Sequence, residues 1–254
     1  ENEDIWLIKT DGNGNQQWNQ ILDSTTTNGS KGGYSLEQTS DGGYIIVGIS
    51  GPGYPCLIKT DGNGNQQWTQ TFGNPSENPG TSVQQTNDGG YILTGHTENE
   101  DIWLIKTDGN GNQQWDQTFG GIDDDLGNSV QQTSDGGYII TGMMFHDSVF
   151  CLIKTDGNGN QEWNKNYGCC EGFSVQQTND GGYILSGENN YNIHIIKTDG
   201  NGNVTSTIEI PLPDPNRKLE KVVDMLGRET KPQPNTPFIE IYDDGSTEKK
   251  TVVE

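Results

Sequence analysis

The chain has 254 residues, of which only 28% are hydrophobic, and its formal net charge is −22. Residues 216–254 are close to neutral, whereas residues 1–215 carry −21 and contain no arginine. Residues 1–215 therefore lack the basic face that neutralises phosphates, which excludes nucleic acid as a partner. An acidic surface favours solubility and attracts divalent cations or basic partners. No apolar stretch approaches membrane-spanning length, so no transmembrane segment is expected.

The first residues of the chain already belong to a repeat. Residues 1–4, Glu-Asn-Glu-Asp, recur at residues 98–101, just before a predicted strand. The chain therefore begins in the middle of a repeat unit. We expect the natural protein to continue upstream with further repeat and a secretion signal.

Two sequence kernels alternate along residues 1–210. The first, Lys-Thr-Asp-Gly-Asn-Gly-Asn, begins at five lysines spaced 43 to 50 residues apart: Lys9, Lys59, Lys106, Lys154 and Lys197. The second, Asp-Gly-Gly-Tyr, begins at four aspartates: Asp41, Asp88, Asp135 and Asp180. Asn-Gly, Asp-Gly and Gly-Gly supply the positive φ angles of tight turns, so each kernel predicts a β-hairpin.

Two hairpins per repeat predict four strands. We expect strands at 102–107 and 113–119 in one repeat and at 129–133 and 138–142 in the next. The continuous apolar run at 102–105 is typical of a strand covered on both faces. Four-stranded units that repeat every 43 to 50 residues and pack radially form a β-propeller. The sequence therefore predicts an all-β fold with about 4.5 visible blades, followed by a small β module. A solenoid is the alternative.

A set of tryptophans holds one register of the repeat. They are Trp18, Trp68, Trp115 and Trp163, and Ser206 takes that place in the fifth copy. Repeated aromatic residues can stack on sugars, but packing of one blade against the next is the favoured interpretation. Ser206 then marks a terminal blade.

The four cysteines do not have the spacing of a zinc site. Cys56 and Cys151 stand where other copies carry tryptophan, so they are expected to pack in the core and not to meet in a disulfide. Cys169 and Cys170 lie in a predicted loop between blades, where a strained vicinal bridge and pairing elsewhere are both open.

The first kernel imitates the opening of a calcium loop. Asp11, Asn13 and Asn15 place oxygen atoms at alternate positions, as such loops do. The remainder of the motif is missing, because Gln16 replaces the glycine of position six and Leu22 the glutamate of position twelve. The hairpin-turn interpretation is favoured, and neither a metal ligand nor a cofactor is predicted. The acidic run at 123–125 leaves a weaker cation site open in one blade.

No catalytic residue is predicted. The histidines His96, His146 and His194 fall in different repeats, and no nucleophile elbow or phosphate loop accompanies them. Carboxylates placed identically in every blade serve turns, although a glycosidase-like pair stays open. Residues 51–55, 143–146 and 169–170 break the repeat. Of these, the apolar segment 143–146 is the favoured contact surface.

The composition changes at the proline-rich linker 211–215, and residues 216–254 read as short strands joined by turns. An Asp-x-Leu-Gly-Arg turn, a Tyr-Asp-Asp-Gly hairpin and a Lys-Lys pair supply nine candidate residues: Asp224, Leu226, Gly227, Arg228, Tyr242, Asp244, Gly245, Lys249 and Lys250. With these features the module resembles the C-terminal sorting domain of type IX secretion in Bacteroidetes. The resemblance implies that an outer-membrane translocon reads the tail, which is then removed or fixes the cargo at the cell surface.

Residues 1 to about 208 resemble bacterial extracellular β-propeller repeats. One copy supplies the matching pieces in order: a Gly-Gly-x-Asp loop at 120–123, an Asp-Gly-Gly turn at 135–137, a Tyr-x-x-Thr-Gly strand at 138–142 and a Lys-Thr-Asp-Gly-Asn-Gly hairpin at 154–159. We therefore expect a secreted or surface-displayed, non-catalytic propeller that binds an extracellular glycan or protein. A glycan-active hydrolase or lyase and a passive spacer are the alternatives.

Overall fold

The computed structural model describes most of the chain, in eleven stretches and one single residue: 4–22, 31–50, 54–73, 81–97, 101–121, 123, 125–144, 149–169, 171–189, 192–210, 216–243 and 245–251. These residues form strands and turns without any helix. Accordingly, nothing in this part of the chain qualifies as a membrane-spanning helix.

The described residues contain 21 strands. In chain order they are β1 Ile5–Thr10, β2 Gln16–Leu22, β3 Gly32–Gln38, β4 Tyr44–Ser50, β5 Tyr54–Thr60, β6 Gln66–Thr71, β7 Ser82–Gln85, β8 Tyr91–His96, β9 Ile102–Thr107, β10 Gln113–Phe119, β11 Asp125–Gln132, β12 Tyr138–Met144, β13 Val149–Thr155, β14 Gln161–Cys169, β15 Gly172–Gln177, β16 Tyr183–Asn189, β17 Asn192–Thr198, β18 Val204–Ile210, β19 Leu219–Asp224, β20 Pro237–Tyr242 and β21 Thr247–Thr251.

The strands form sheets in the order of the chain. Strands β3 to β6, β7 to β10, β11 to β14 and β15 to β18 make four four-stranded sheets, called sheets 1 to 4 below. Strands β1 and β2 pair as a two-stranded half-sheet, and β19 to β21 form the C-terminal sheet. Four sheets and a half-sheet match the predicted 4.5 blades. The predicted β-propeller fold class is confirmed.

The strand boundaries follow the turn chemistry closely. The strands predicted at 102–107 and 113–119 are confirmed as β9 and β10. The strands predicted at 129–133 and 138–142 are longer than expected, since β11 begins at Asp125 and β12 ends at Met144. A register shift between Gly127 and Ser129 lets pairing continue past one extra residue, which is a β-bulge.

Sheets 1, 2 and 3 are apolar on both faces, because a neighbouring sheet covers each face. In sheet 2, Leu93 and Ile105 belong to a core shared with sheet 1, whereas Ile92 and Leu104 belong to a core shared with sheet 3. Equivalent cores lie between the half-sheet and sheet 1 and between sheets 3 and 4. The continuous apolar runs of the third strands therefore supply two cores at once.

The repeated tryptophans join consecutive sheets. Trp68 of sheet 1 lies 6.0 Å from Tyr91 of sheet 2, measured between ring centroids. The indole also covers Gly111, where an added Cβ would lie 2.6 Å from Cζ3 of Trp68. Trp18, Trp115 and Trp163 make the same pair of contacts with the sheet that follows each of them. This geometry agrees with the packing interpretation of the tryptophan register.

The chain divides into two compact units, Glu1–Glu209 and Ile210–Glu254. The second unit contains the antiparallel C-terminal sheet, in which β20 lies between β19 and β21. Val223 and Phe238 are its buried apolar residues. The linker predicted at 211–215 lies outside the described residues.

The tryptophan contact yields a matched test on two glycines of the same turn type. Gly111 and Gly14 both have positive φ, +80° and +84°, but only Gly111 lies under a tryptophan, since no described residue has an atom within 4 Å of a Cβ added at Gly14. Both alanine substitutions meet the same backbone strain, and Gly111→Ala adds overpacking of about 1–3 kcal/mol. Denaturant unfolding should show the larger loss of stability for Gly111→Ala. Equal losses for the two variants would contradict the contact.

Candidate functional site

The Asp-Gly-Gly-Tyr aspartates bind the kernel lysines inside each full sheet. Lys106 Nζ lies 2.9 Å from Asp88 Oδ2, and Lys59, Lys154 and Lys197 hold Asp41, Asp135 and Asp180 at the same distance. Hydrogen bonds from Thr39, Lys59 and Gly43 lower the pKa of Asp41 to about 2. For Asp88, burial raises the pKa, but bonds from Thr86, Lys106 and Gly90 outweigh it and the pKa falls to about 2. These carboxylates are ionised structural groups.

The Asp-Gly-Asn-Gly-Asn turns satisfy their own oxygen atoms. The backbone N–H groups of Asn13 and Asn15 each donate to Asp11 Oδ1 at 2.9 Å, and the Asn15 amide donates to Oδ2 at 3.0 Å. The other four copies, which begin at Asp61, Asp108, Asp156 and Asp199, have the same three bonds. Each carboxylate therefore closes a hairpin, as the turn interpretation predicts.

Amide side chains link the first strands of consecutive sheets. The backbone N–H of Gln132 in sheet 3 donates to Oε1 of Gln84 in sheet 2 at 2.6 Å, and Oε1 of Gln132 accepts from the N–H of Asn87 in sheet 2 at 2.8 Å. Sheets 3 and 4 repeat this exchange through Gln131, Gln177 and Ser134. Sheets 1 and 2 use Glu37, Gln85 and Ser40 in the same places. Each pair of consecutive sheets is thus joined by two hydrogen bonds, one donated from each sheet to the other.

The same strands line a polar cavity of about 260 Å³. Its lining includes Glu37 of sheet 1, Gln84 of sheet 2, Gln131 of sheet 3 and both Ser174 and Gln176 of sheet 4. Burial raises the pKa of the Glu37 carboxyl, which the N–H of Gln85 partly offsets. Gln176 is exposed at the open end of the series. Sequence reasoning missed this cavity, although a glutamine pair recurs in one register of sheets 2, 3 and 4 and sheet 1 has Glu37-Gln38 there.

The cysteines and histidines do not converge on one site. Cys56 and Cys151 form no disulfide and are fully buried in different cores, and burial raises the pKa of the Cys151 thiol to about 12. His194 occupies the same register in β17 and is buried, and its Nδ1 has no hydrogen-bond partner among the described residues. Among the described residues no group of three metal-ligating side chains comes together. Asp124, one of the three acidic residues of the weaker cation site, lies outside those residues.

The segments that break the repeat are described only in part. Met143 and Met144 are half-buried in β12, and Met144 packs against the core between sheets 2 and 3. Phe145, His146 and Cys170 lie outside the described residues, as do residues 51–53. The contact surface expected at 143–146 therefore stays a prediction.

The turn after β19 copies the repeat turn with a different tip. Leu226 N and Arg228 N donate to Asp224 Oδ1 at 2.9 and 3.0 Å, and Arg228 Nε donates to Oδ2 at 2.8 Å. Gly227 has a φ of +81°, close to the +84° of Gly14. The repeats place glycine and asparagine at the tip, whereas this turn places Met225 and Leu226 there, 48% and 78% exposed. The turn itself does not require apolar side chains at these positions.

The other candidate residues of the C-terminal sheet form a separate group. Tyr242 OH and Lys250 Nζ both donate to Glu240 Oε2, at 2.7 and 2.6 Å. Gly245, with φ of +82°, closes the turn between β20 and β21, while Lys249 is exposed on β21. Asp224 pairs with Phe238 and Leu219 with Tyr242, so the two turns lie at opposite ends of the sheet. Asp244 lies outside the described residues.

A matched comparison tests the aspartate–lysine contacts. A folded pKa of about 2 for Asp88 lies below its ordinary value of 3.8, so the contact stabilises the fold above about pH 4 and loses this effect as the pH falls toward 2. We expect Asp88→Asn to unfold at a lower temperature than the unsubstituted chain at pH 6. The difference between the two unfolding temperatures should narrow between pH 4 and 2. Glu220→Gln, at an exposed position in β19, is the control and should leave the midpoint unchanged. A gap that is constant with pH would contradict the ionised contact.

Comparison with known proteins supports the fold class. The chain is similar to a protein of unknown function from Bacteroides caccae, with a TM-score of 0.58 and 12% identity over 96% of this chain and 93% of that one. It is also similar to the Dos1 propeller, with a TM-score of 0.56 and 16% identity over 95% of this chain and 61% of that one. BBS1N, solved in complex with ARL6DN, gives a TM-score of 0.54 and 11% identity over 94% of this chain and 69% of that one.

The sequence itself matches no family model. It also matches no curated protein. The likeness is therefore one of fold, and the fold is that of a β-propeller.

Proposed function

We propose that residues 1–210 form a non-catalytic propeller that binds an extracellular glycan or protein. Residues 211–215 then act as a linker, and residues 216–254 as a sorting domain for type IX secretion, which leaves the protein secreted or on the outer cell surface. The observation that carries the binding role is the polar cavity of about 260 Å³ between the first strands of consecutive sheets.

The cavity has the chemistry of a neutral polar ligand site. Its amide and hydroxyl groups, from Gln84, Gln131, Gln176 and Ser174, both donate and accept hydrogen bonds, as sugar hydroxyls and peptide groups require. The reciprocal hydrogen bonds between consecutive sheets hold these groups in place. The entropy that is lost when a ligand orders them is therefore smaller. The aspartates repeated in every sheet are engaged in turns and lysine contacts, which favours binding over hydrolysis.

The binding role predicts an interaction without chemistry. The purified chain is applied to a glycan array and to extracellular proteins, and each bound ligand is assayed for product. We expect Gln176→Ala to weaken binding roughly threefold to tenfold, the effect of one lost hydrogen bond. Gln16→Ala, at an exposed position of β2, is the control. Product release would favour a glycan-active hydrolase or lyase, and a chain that binds nothing would favour the passive spacer.

The sorting role is supported by the exposed tip of the turn at 224–228. Met225 and Leu226 expose apolar surface that neither the turn nor the small core of the C-terminal sheet uses. Exposed apolar side chains beside a fixed charge, here Arg228 held by Asp224 at 2.7 Å, suit recognition by another protein. The partner expected from the resemblance is the type IX translocon.

The chain supplies its own replacement for this tip. Met225→Gly combined with Leu226→Asn installs the tip of the five repeat turns, so the hairpin should persist while the apolar surface disappears. Burial of one such side chain contributes about 1.5–3 kcal/mol, so recognition should weaken more than tenfold. In a bacterium with type IX secretion, the full chain should then accumulate in the periplasm. Met225→Leu combined with Leu226→Met is the control. Unchanged export of the Gly-Asn variant would contradict the role of the tip.

A further inference from the structure

The third strand of each full sheet lies between two partners, but its counterpart in the half-sheet has one. β9, with the sequence Ile-Trp-Leu-Ile-Lys-Thr, lies between β8 and β10. β1 has the identical sequence and, among the described residues, pairs with β2 alone. Its other edge presents backbone N–H and C=O groups of a strand that is central elsewhere, which is the template for an added strand.

Among the residues that the structure describes, the lysine of β1 has no aspartate partner of the kind that its counterparts bind. Lys106 binds Asp88, which belongs to the turn of the hairpin that covers the same edge of β9. Lys9 instead donates to Tyr44 OH at 2.8 Å and lies 5.5 Å from the centroid of the Tyr44 ring. Thr10 is exposed, whereas Thr107 is fully buried under its hairpin. The half-sheet thus contains Lys9 and Thr10, the two residues that an Asp-Gly-Gly-Tyr hairpin would cover.

The face of the half-sheet that points away from sheet 1 has the features of an internal interface. Trp6 is 63% exposed, whereas its counterpart Trp103 is 7% exposed against sheet 1. No described residue comes within 4 Å of a Cβ added at Gly14, whereas the corresponding glycines of the later turns each lie under a tryptophan. A cavity of about 410 Å³, lined by Trp6, Leu7 and residues of β3, lies beside the open edge.

We propose that the open edge of β1 binds a hairpin of the Asp-Gly-Gly-Tyr type, of the kind that β7 and β8 form beside β9. The pairing of β8 with β9 gives the register, because Tyr91 lies opposite Thr107 and Gly95 opposite Trp103. In the new pair the hairpin tyrosine therefore lies opposite Thr10 and its glycine opposite Trp6. The turn aspartate reaches Lys9.

A second copy of this chain is a poorer occupant. The outer face of its sheet 4, where Ile184 and Ile193 are exposed, carries Ser206 in place of the tryptophan that would cover Gly14. All four strands of that sheet are already paired with each other, so it has no spare hairpin for the edge of β1. Docking of sheet 4 would bury Trp6 and leave both the strand edge and Lys9 without the partners found in the full sheets.

The chain provides the hairpin for the experiment. Residues 81–97 precede Glu-Asn-Glu-Asp at 98–101, and the same four residues open the chain, so a copy of 81–97 fused before Glu1 reproduces the spacing between β8 and β9. We expect amide exchange across Ile5–Thr10 to slow by at least about tenfold in the fusion, and the thermal midpoint to rise by several degrees. The control fusion carries asparagine in place of the aspartate copied from Asp88.

A double-mutant cycle identifies the contact. Lys9→Met should lower the midpoint of the aspartate fusion more than that of the asparagine fusion, because only the first contains the lysine–aspartate pair. Unchanged exchange at Ile5–Thr10 in a folded fusion, or the same effect of Lys9→Met in both fusions, would overturn the proposal. Protection of β1 that appears in the unfused chain and rises with protein concentration would overturn it in favour of a second copy.

Discussion

Burial of the apolar faces that consecutive sheets share is the constraint on which the first unit depends. A chain with so few apolar residues cannot build one large core, so it places them in four thin ones. Ile92 and Leu93, adjacent in sequence, serve two different cores because successive side chains of a strand point to opposite faces. Each sheet is then stable only beside another, which is the nearest-neighbour logic of repeat proteins.

Polar contacts fix how the hairpins of a sheet and the first strands of consecutive sheets are positioned, which the apolar cores alone do not determine. The lysine–aspartate pair ties the turn of one hairpin to the next strand of the same sheet, and the amide exchange through Gln84 and Gln132 ties one sheet to the next. Because these contacts recur at the same register, the first strands keep a constant relation to each other. The cavity they line is therefore a product of the repeat, and its lining varies at Leu36 and Glu37 of sheet 1, where the later sheets have valine and glutamine.

The sequence predicted the parts of the fold that local chemistry determines. Glycine-containing turns and apolar runs located β9 and β10 to the residue, since both signals act within a few positions. The bulge at 127–129 was beyond such reasoning, because its extra residue becomes visible only through the partner strand. The amide exchange was missed for the same reason: adjacent glutamines read as ordinary surface residues until a neighbouring sheet lies against them.

The candidate sorting residues show the same division. Asp224, Gly227 and Arg228 were recognisable as a turn, and the structure gives that turn the hydrogen bonds of the repeat turns. Met225 was not singled out, although alignment of its turn with the Asp-Gly-Asn-Gly-Asn kernels would have identified an apolar tip on a polar scaffold. The separation of this turn from Tyr242 and Lys250 depends on strand register, which the spacing along the chain does not reveal.

The near-identity of the hairpins has a consequence for how the chain reaches this state. Any Asp-Gly-Gly-Tyr hairpin presents almost the same hydrogen bonds to every Leu-Ile-Lys-Thr strand, so pairings displaced by one whole unit are nearly equal in free energy to the native ones. Only the few positions that differ between repeats distinguish the native pairing from a displaced one. Among them are Trp103, Cys151 and His194, which share one place in successive sheets. Differences among these residues disfavour the displaced pairings, which reduces misfolding of a chain whose repeats are otherwise nearly identical.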